Sequence, residues 1–173
     1  MTVYQQAVAE LQTIRDFLRF GESRLRACDA CSGHGYAEPW DEIVALVLHA
    51  LHLAGDCDSR VLDARLITQE KEAICTLLKR RVEERVPTAY LTHEAWFAGL
   101  PFWVDEHVLI PRSPLAEYIE TQFQPWLSLD NPTPHILDLC TGSGCIGIAS
   151  ALYLPEATVM ATDISEQALK VAK

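Results

Sequence analysis

The chain has 173 residues, of which 49% are hydrophobic, and a formal net charge of −10 at pH 7. That length is about one domain by the usual prior of roughly 150 residues, and so large an apolar share excludes intrinsic disorder. No apolar run reaches about 18 residues, which excludes a membrane-spanning helix. The first ten residues lack the basic and apolar regions of a signal peptide, so a cytoplasmic protein is expected. The charge is uneven: residues 1–86 sum to −3 and residues 87–173 to −7. An acidic surface repels nucleic acid and suits a basic protein partner, although ordinary solubility charge has the same sign. Six cysteines without a secretory signal read as reduced thiols. Cys28 and Cys31 form a CxxC with His34 close behind, but no second ligand pair follows at zinc-finger spacing, so no metal is expected.

Helical spacing runs from residue 3 to 28 through Val8, Leu11, Ile14, Leu18 and Leu25, with Gly21 as the expected break or kink. Ser32-Gly33-His34-Gly35-Tyr36 reads as a loop. Pro39-Trp40-Asp41-Glu42 opens a second helix, because proline and acids suit a first turn. It runs to Leu53, is apolar nearly all round, and is therefore expected to be central. His49 and His52 on it read as packed or partly exposed side chains, since no third metal ligand is evident. After a break at Gly55 to Ser59, Thr68 is the expected cap of a helix with the stripe Ala73, Ile74, Leu77, Leu78 and Val82. Lys79, Arg80, Arg81 and Arg85 end it on a face read as solvated, complementing the helix dipole. An RNA phosphate contact there is the sharper option, and Glu83 and Glu84 weaken it. Residues 1–86 thus read as a small helical domain.

At Val86-Pro87 the composition changes. Ala95 to Ala98 and Pro101 to Val104 are aromatic, strand-like segments around Gly99, predicting a β-hairpin that links two domains over residues 87–112. Ser113 and Pro114 predict the start of a helix that fails near Pro125. Ile136 to Cys140 predicts a short buried strand, Thr141-Gly142-Ser143-Gly144 a sharp turn, Cys145 to Leu152 a helix, and Thr158 to Ala161 a second strand closing on Asp163. A helix N-terminus at a glycine turn offers free N–H groups and lets a ligand approach closely, and an acid at the next strand tip can accept the hydroxyls of a ribose. Two cofactors compete for this βαβ unit. Residues 142–147 spell G-x-G-x-x-G, a dinucleotide pattern, but Asp163 follows Gly147 by 16 residues, short of the usual ~20. S-adenosylmethionine is the other. It carries a sulfonium and an ammonium, so Asp138 just ahead of the glycines favours it over a pyrophosphate.

Val108-Leu109-Ile110-Pro111-Arg112, followed by Ile136-Leu137-Asp138-Leu139-Cys140-Thr141-Gly142-Ser143-Gly144-Cys145-Ile146, resembles the HemK-like protein glutamine N5-methyltransferases. Gly33-His34-Gly35, Pro39 to Glu42, Ala89 to Thr92, Ala95 to Phe97 and Pro111 to Pro114 are similar to the branch that methylates a glutamine of large-subunit ribosomal protein L-three, rather than to the release-factor branch. The resemblance implies an α/β protein: an N-terminal helical bundle (1–86) that recognises the protein substrate, a hairpin linker (87–112), and the first βαβ portion of a Rossmann-like methyltransferase domain (113–173). It implies S-adenosylmethionine held by Asp138, Cys140, Thr141, Gly142, Ser143, Gly144 and Asp163, with Pro111 and Arg112 in the pocket wall. Asp138 would face the amino end of the cofactor and Asp163 its ribose. The family holds the substrate amide with Asn-Pro-Pro-Tyr, which does not occur here; Asn131-Pro132-Thr133 is a different turn. The chain therefore reads as the N-terminal part of a longer enzyme, with no catalytic residue of its own and no turnover by itself. The release-factor glutamine methyltransferase of the same family and a nicotinamide or flavin oxidoreductase are the alternatives.

Overall fold

The computed structural model describes residues 1–28, 35–127 and 134–173. Its first helices begin where hydroxyl side chains can replace missing helical partners. α1 (Val3–Glu10) starts at Thr2, whose hydroxyl accepts the Gln5 N–H while the Gln5 side chain accepts that of Thr2. α2 (Ile14–Ala27) repeats the device with Thr13 and Asp16. These reciprocal caps divide the segment that spacing predicts as one helix, so the break falls between Glu10 and Ile14 and not at Gly21. Gly21 lies inside α2 for another reason. A Cβ there would come within 2.8 Å of Ile43 and 2.9 Å of Leu78, so its absence lets three helices approach closely.

α3 (Pro39–Ala50) starts at its proline, as the sequence predicts, and packs against α2 and α4 (Thr68–Val82). Phe17, Leu18, Leu25, Ile43, Leu46, Val47, Ile74 and Leu78 form the centre of this core. Thr68 is the first helical residue of α4 and not its cap; the Ile67 N–H is accepted by the Glu70 carboxylate at 2.9 Å. Between α3 and α4, Ser59–Asp63 is a 3₁₀ helix where only a break is predicted. The Arg15–Asp63 ion pair at 2.8 Å links it to α2.

The positive end of α4 does not form one solvated face. Arg81 is 5% exposed and Glu42 3%, and their side chains pair at 2.5 Å. The Thr88 hydroxyl donates to the same Glu42 oxygen at 2.6 Å. Arg81 is thus withdrawn from the surface, while Lys79, Arg80 and Arg85 stay exposed and Arg80 faces Glu84 at 3.8 Å. A buried carboxylate needs a charged partner, and α3 presents Glu42 to this turn of α4. Thr88 opens α5 (Thr88–Thr92), and Met1–Thr92 forms one compact unit.

His93–Lys173 forms the second unit. β1 (Glu94–Phe97) pairs antiparallel with β2 (Leu100–Trp103) around Ala98-Gly99, whose φ values of 48° and 70° make a turn that follows strand twist. Ala95, Phe97 and Phe102 point inward; Glu94, Trp96, Pro101 and Trp103 are exposed. α6 (Leu115–Glu120) begins beside Ser113, whose hydroxyl accepts the Leu115 N–H at 3.2 Å, and ends before Phe123. β3 (His135–Leu139) runs parallel to β4 (Thr158–Thr162) in the register Asp138↔Ala161. α7 (Cys145–Tyr153) connects them and α8 (Glu166–Val171) follows. Phe97, Phe102, Ile119, Cys145 and Ala149 make a small core, and the Tyr153 hydroxyl donates to the Ala98 carbonyl at 3.1 Å. β3 is not the buried strand its composition predicts. α7 covers the face that carries Asp138, whereas Leu137, Leu139 and Met160 on the other are 56%, 66% and 63% exposed.

Removing one member of a buried ion pair leaves a charge without compensation, which costs about 3–5 kcal/mol. Glu42→Ala is expected to lose that much in urea unfolding. Glu42→Leu combined with Arg81→Met is expected to recover the larger part.

Candidate functional site

The chain leaves β3 through a turn with three positive φ angles: Cys140 at 60°, Gly142 at 57° and Gly144 at 79°. Glycine adopts this conformation freely, whereas an L side chain such as that of Cys140 pays about 1–2 kcal/mol in steric conflict. Two carboxylates hold the turn. Asp138 is 8% exposed, and its Oδ2 accepts the Thr141 hydroxyl at 2.6 Å and the Gly147 N–H at 3.0 Å. It therefore joins the turn to the first coil of α7. Asp163, just past β4, accepts the Gly142 N–H on Oδ2 and the Ser165 N–H on Oδ1, both at 2.9 Å. A further bond runs from the Thr141 N–H to the Thr162 carbonyl at 2.9 Å.

The structure thus brings Asp138, Cys140, Thr141, Gly142, Ser143, Gly144 and Asp163 into one constellation. Thr141 and Ser143 are buried, and Cys140 is exposed. Pro111 and Arg112 lie in the irregular segment before α6. Arg112 is exposed, and among the described residues no hydrogen bond or ion pair links either one to the turn. Cys28 donates its thiol to the Leu25 carbonyl at 3.1 Å, while Cys31, His34 and Asn131-Pro132-Thr133 lie outside the described residues.

The electrostatics divide the two acids. The Ser165 and Gly142 N–H groups hold Asp163 below the usual carboxylate range, so it is ionised near neutral pH. Each of its oxygens has accepted one bond and keeps a lone pair for a further donor such as a hydroxyl. Asp138 is buried, and among the described residues no lysine, arginine or histidine pairs with it. A buried carboxylate without a cation favours a ligand that carries positive charge. Burial pushes the Cys145 thiol up, so it is a packing residue and not a thiolate.

The glycines serve different ends. A Cβ at Gly142 would meet nothing within 4 Å, which leaves this backbone open to a ligand. A Cβ at Gly147 would stand 3.1 Å from Asp138 Oδ2 and 3.6 Å from the Ala161 Cβ, so its bareness allows α7 to lie close on the strands. Two contributors were missed in the sequence. Ser165 caps α8 by accepting the Ala168 N–H at 3.2 Å, and Ile164, fully exposed beside Asp163, offers an apolar surface. The signal for the first was Asp163-Ile164-Ser165, an acid two residues before a hydroxyl at a strand-to-helix turn.

Comparison with known proteins agrees with the motifs. A family model described as ribosomal protein L11 methyltransferase (PrmA) matches residues 120–173. The ribosomal protein uL3 glutamine methyltransferase of Xylella fastidiosa is 51% identical over 96% of this chain and 53% of its own length. The protein of the same name from Bordetella pertussis is 48% identical over 94% of this chain and 55% of its own length. That from Xanthomonas campestris is 51% identical over 96% of this chain and 54% of its own length. The chain spans about half the length of the curated relatives it matches. These relatives bear out the resemblance to the protein glutamine methyltransferases and its L-three branch.

Cys140→Gly is expected to relieve the strained φ and raise stability by about 1 kcal/mol in chemical denaturation. Gly147→Ala is expected to lower it by about 1–3 kcal/mol, because the added methyl meets Asp138. Since hydrogen bonding depresses Asp163 in the folded state, its contribution to stability is present above the unfolded carboxylate value of about 3.9. That contribution is lost as pH falls through the lower folded value. Asp163→Asn should therefore flatten the acid side of a thermal-stability profile.

Proposed function

We propose that this chain serves S-adenosylmethionine-dependent methylation of a glutamine side-chain nitrogen in ribosomal protein L-three, and that β3, α7 and β4 open a Rossmann-like cofactor domain. The observation that carries the reading is the open glycine turn between two carboxylates of different environment. S-adenosylmethionine, when bound, supplies the electrophilic methyl group. Gly142 leaves its methionine part room against the backbone, whereas the bareness of Gly144, where a Cβ would stand 3.0 Å from Ile148 and 3.1 Å from Ala172, admits the packing of the turn itself. Asp138, a buried acid with no cationic partner among the described residues, suits the cationic amino end and sulfonium. Asp163 keeps acceptor capacity for the ribose hydroxyls, and Ile164 presents an apolar face to a flat base.

The acceptor amide nitrogen is a weak nucleophile because its lone pair is delocalised. Its reaction needs hydrogen-bonding groups that position it and favour a pyramidal nitrogen. Asn-Pro-Pro-Tyr, the family's device for this, does not occur in the 173 residues. The share of this chain is then cofactor binding, with the helical unit recognising the protein substrate through its surface. The relatives' names support that substrate, and the match to the L11 methyltransferase family supports ribosomal-protein methylation more broadly.

Isothermal titration of the chain with S-adenosylmethionine, S-adenosylhomocysteine and NAD tests the cofactor. Both adenosyl ligands are expected to bind more tightly than NAD, and the reverse order would support an oxidoreductase. Asp163→Ala is expected to weaken adenosyl binding by about 1–3 kcal/mol, the scale of losing hydrogen bonds to a charged group. The chain alone is expected to bind S-adenosylmethionine without transferring labelled methyl to L-three; turnover would place the amide-holding group within it.

A further inference from the structure

The hairpin turns an aromatic and acidic face to solvent. Strand alternation and register put Glu94, Trp96, Pro101 and Trp103 on it, with Glu94 directly opposite Trp103. Trp96 is 63% and Trp103 53% exposed. These indoles add nothing to the core, which takes Phe97 and Phe102 from the opposite face. Each nevertheless makes a defined contact. The Trp96 indole N–H donates to the Glu94 carboxylate at 2.8 Å. Trp103 stacks on His93 with ring centroids 4.9 Å apart and planes within 7°. Glu94 is therefore flanked by two indoles on an open surface.

Charge decides what fits there. No lysine or arginine occurs between Arg85 and Arg112, while Glu94, Asp105 and Glu106 all lie in that stretch. An indole face attracts a cation through its quadrupole, and a neighbouring carboxylate adds direct Coulomb attraction. A single-stranded nucleic acid would also stack on tryptophan, but its backbone needs a positive groove, and among the described residues the pocket beside Trp103 offers the single lysine Lys170. The adjoining pocket of about 310 Å³ at Trp103 mixes Asp105 with Lys170 and has no such selectivity.

We propose that this hairpin face docks a basic protein segment, with an arginine or lysine side chain seated over Trp96 and Trp103 against Glu94. The inference deepens the substrate reading above, in that it gives a basic protein partner a surface, yet it can be tested apart from the cofactor. The experiment titrates a fluorescent deca-arginine peptide into the full chain and compares variants. Glu94→Gln keeps an acceptor for the Trp96 indole and so preserves the hairpin; it is expected to weaken binding about three- to fivefold, as is Trp96→Leu. Trp126→Leu, elsewhere on the surface, is expected to leave binding unchanged, and added salt to weaken it. Equal affinity in Glu94→Gln, Trp96→Leu and the parent would overturn the proposal. So would tighter binding of an oligouridine than of the peptide, or self-association through Trp96 in place of peptide binding. Failure of the chain to bind S-adenosylmethionine would undo the cofactor reading and leave this one standing.

Discussion

One carboxylate oxygen, Oδ2 of Asp138, sets the geometry of the second unit's site. Through the Thr141 hydroxyl and the Gly147 N–H it fixes where the strand ends and where α7 begins. The open backbone at Gly142 lies between those two anchors; the Thr141 N–H bond to the Thr162 carbonyl ties the turn to β4, and Asp163 accepts the Gly142 N–H. A substitution that moved Asp138 would release the turn from its helix before it affected any ligand contact. Stability and binding are therefore coupled at this residue.

The chain contains a second buried carboxylate, and the contrast is informative. Glu42 has Arg81 beside it and a hydroxyl from Thr88, so its charge is compensated within the protein. Such a cluster fixes how α3, α4 and α5 meet and leaves nothing for a ligand. Asp138 has hydrogen-bond donors but no cation among the described residues. Burial is similar in the two cases, and the difference in partners separates a structural acid from one suited to binding.

Much of this was legible in the sequence, for local reasons. The order of strand, glycine turn, helix and strand followed from short apolar runs and their punctuation, and Pro39 marked the start of α3. The caps at Thr13 and Ser165 were missed, although each left a local signal: a hydroxyl three residues before an acid, obscured by the longer apolar periodicity, and a hydroxyl two residues after one. Arg81 could not be placed from sequence. Its partner is 39 residues away, and a run of basic residues gives no sign of which one faces inward. The same limit applied to the two exposed strand faces. Alternation shows that Trp96 and Trp103 share a side, but not that the core takes the phenylalanines. The apolar composition of β3 likewise does not show that Leu137 and Leu139 stand in solvent.

The 3.1 Å between Asp138 Oδ2 and the position of a Gly147 Cβ has a consequence for how this protein can vary. Neither position is free to drift alone. Any side chain at 147 displaces the carboxylate, and any larger acid at 138 occupies the space that the bare glycine leaves. Substitutions in direct contact are not additive, so a change at one site alters the cost of a change at the other. Sites 138 and 147 are thus energetically coupled, nine residues apart in the chain and adjacent across one hydrogen bond.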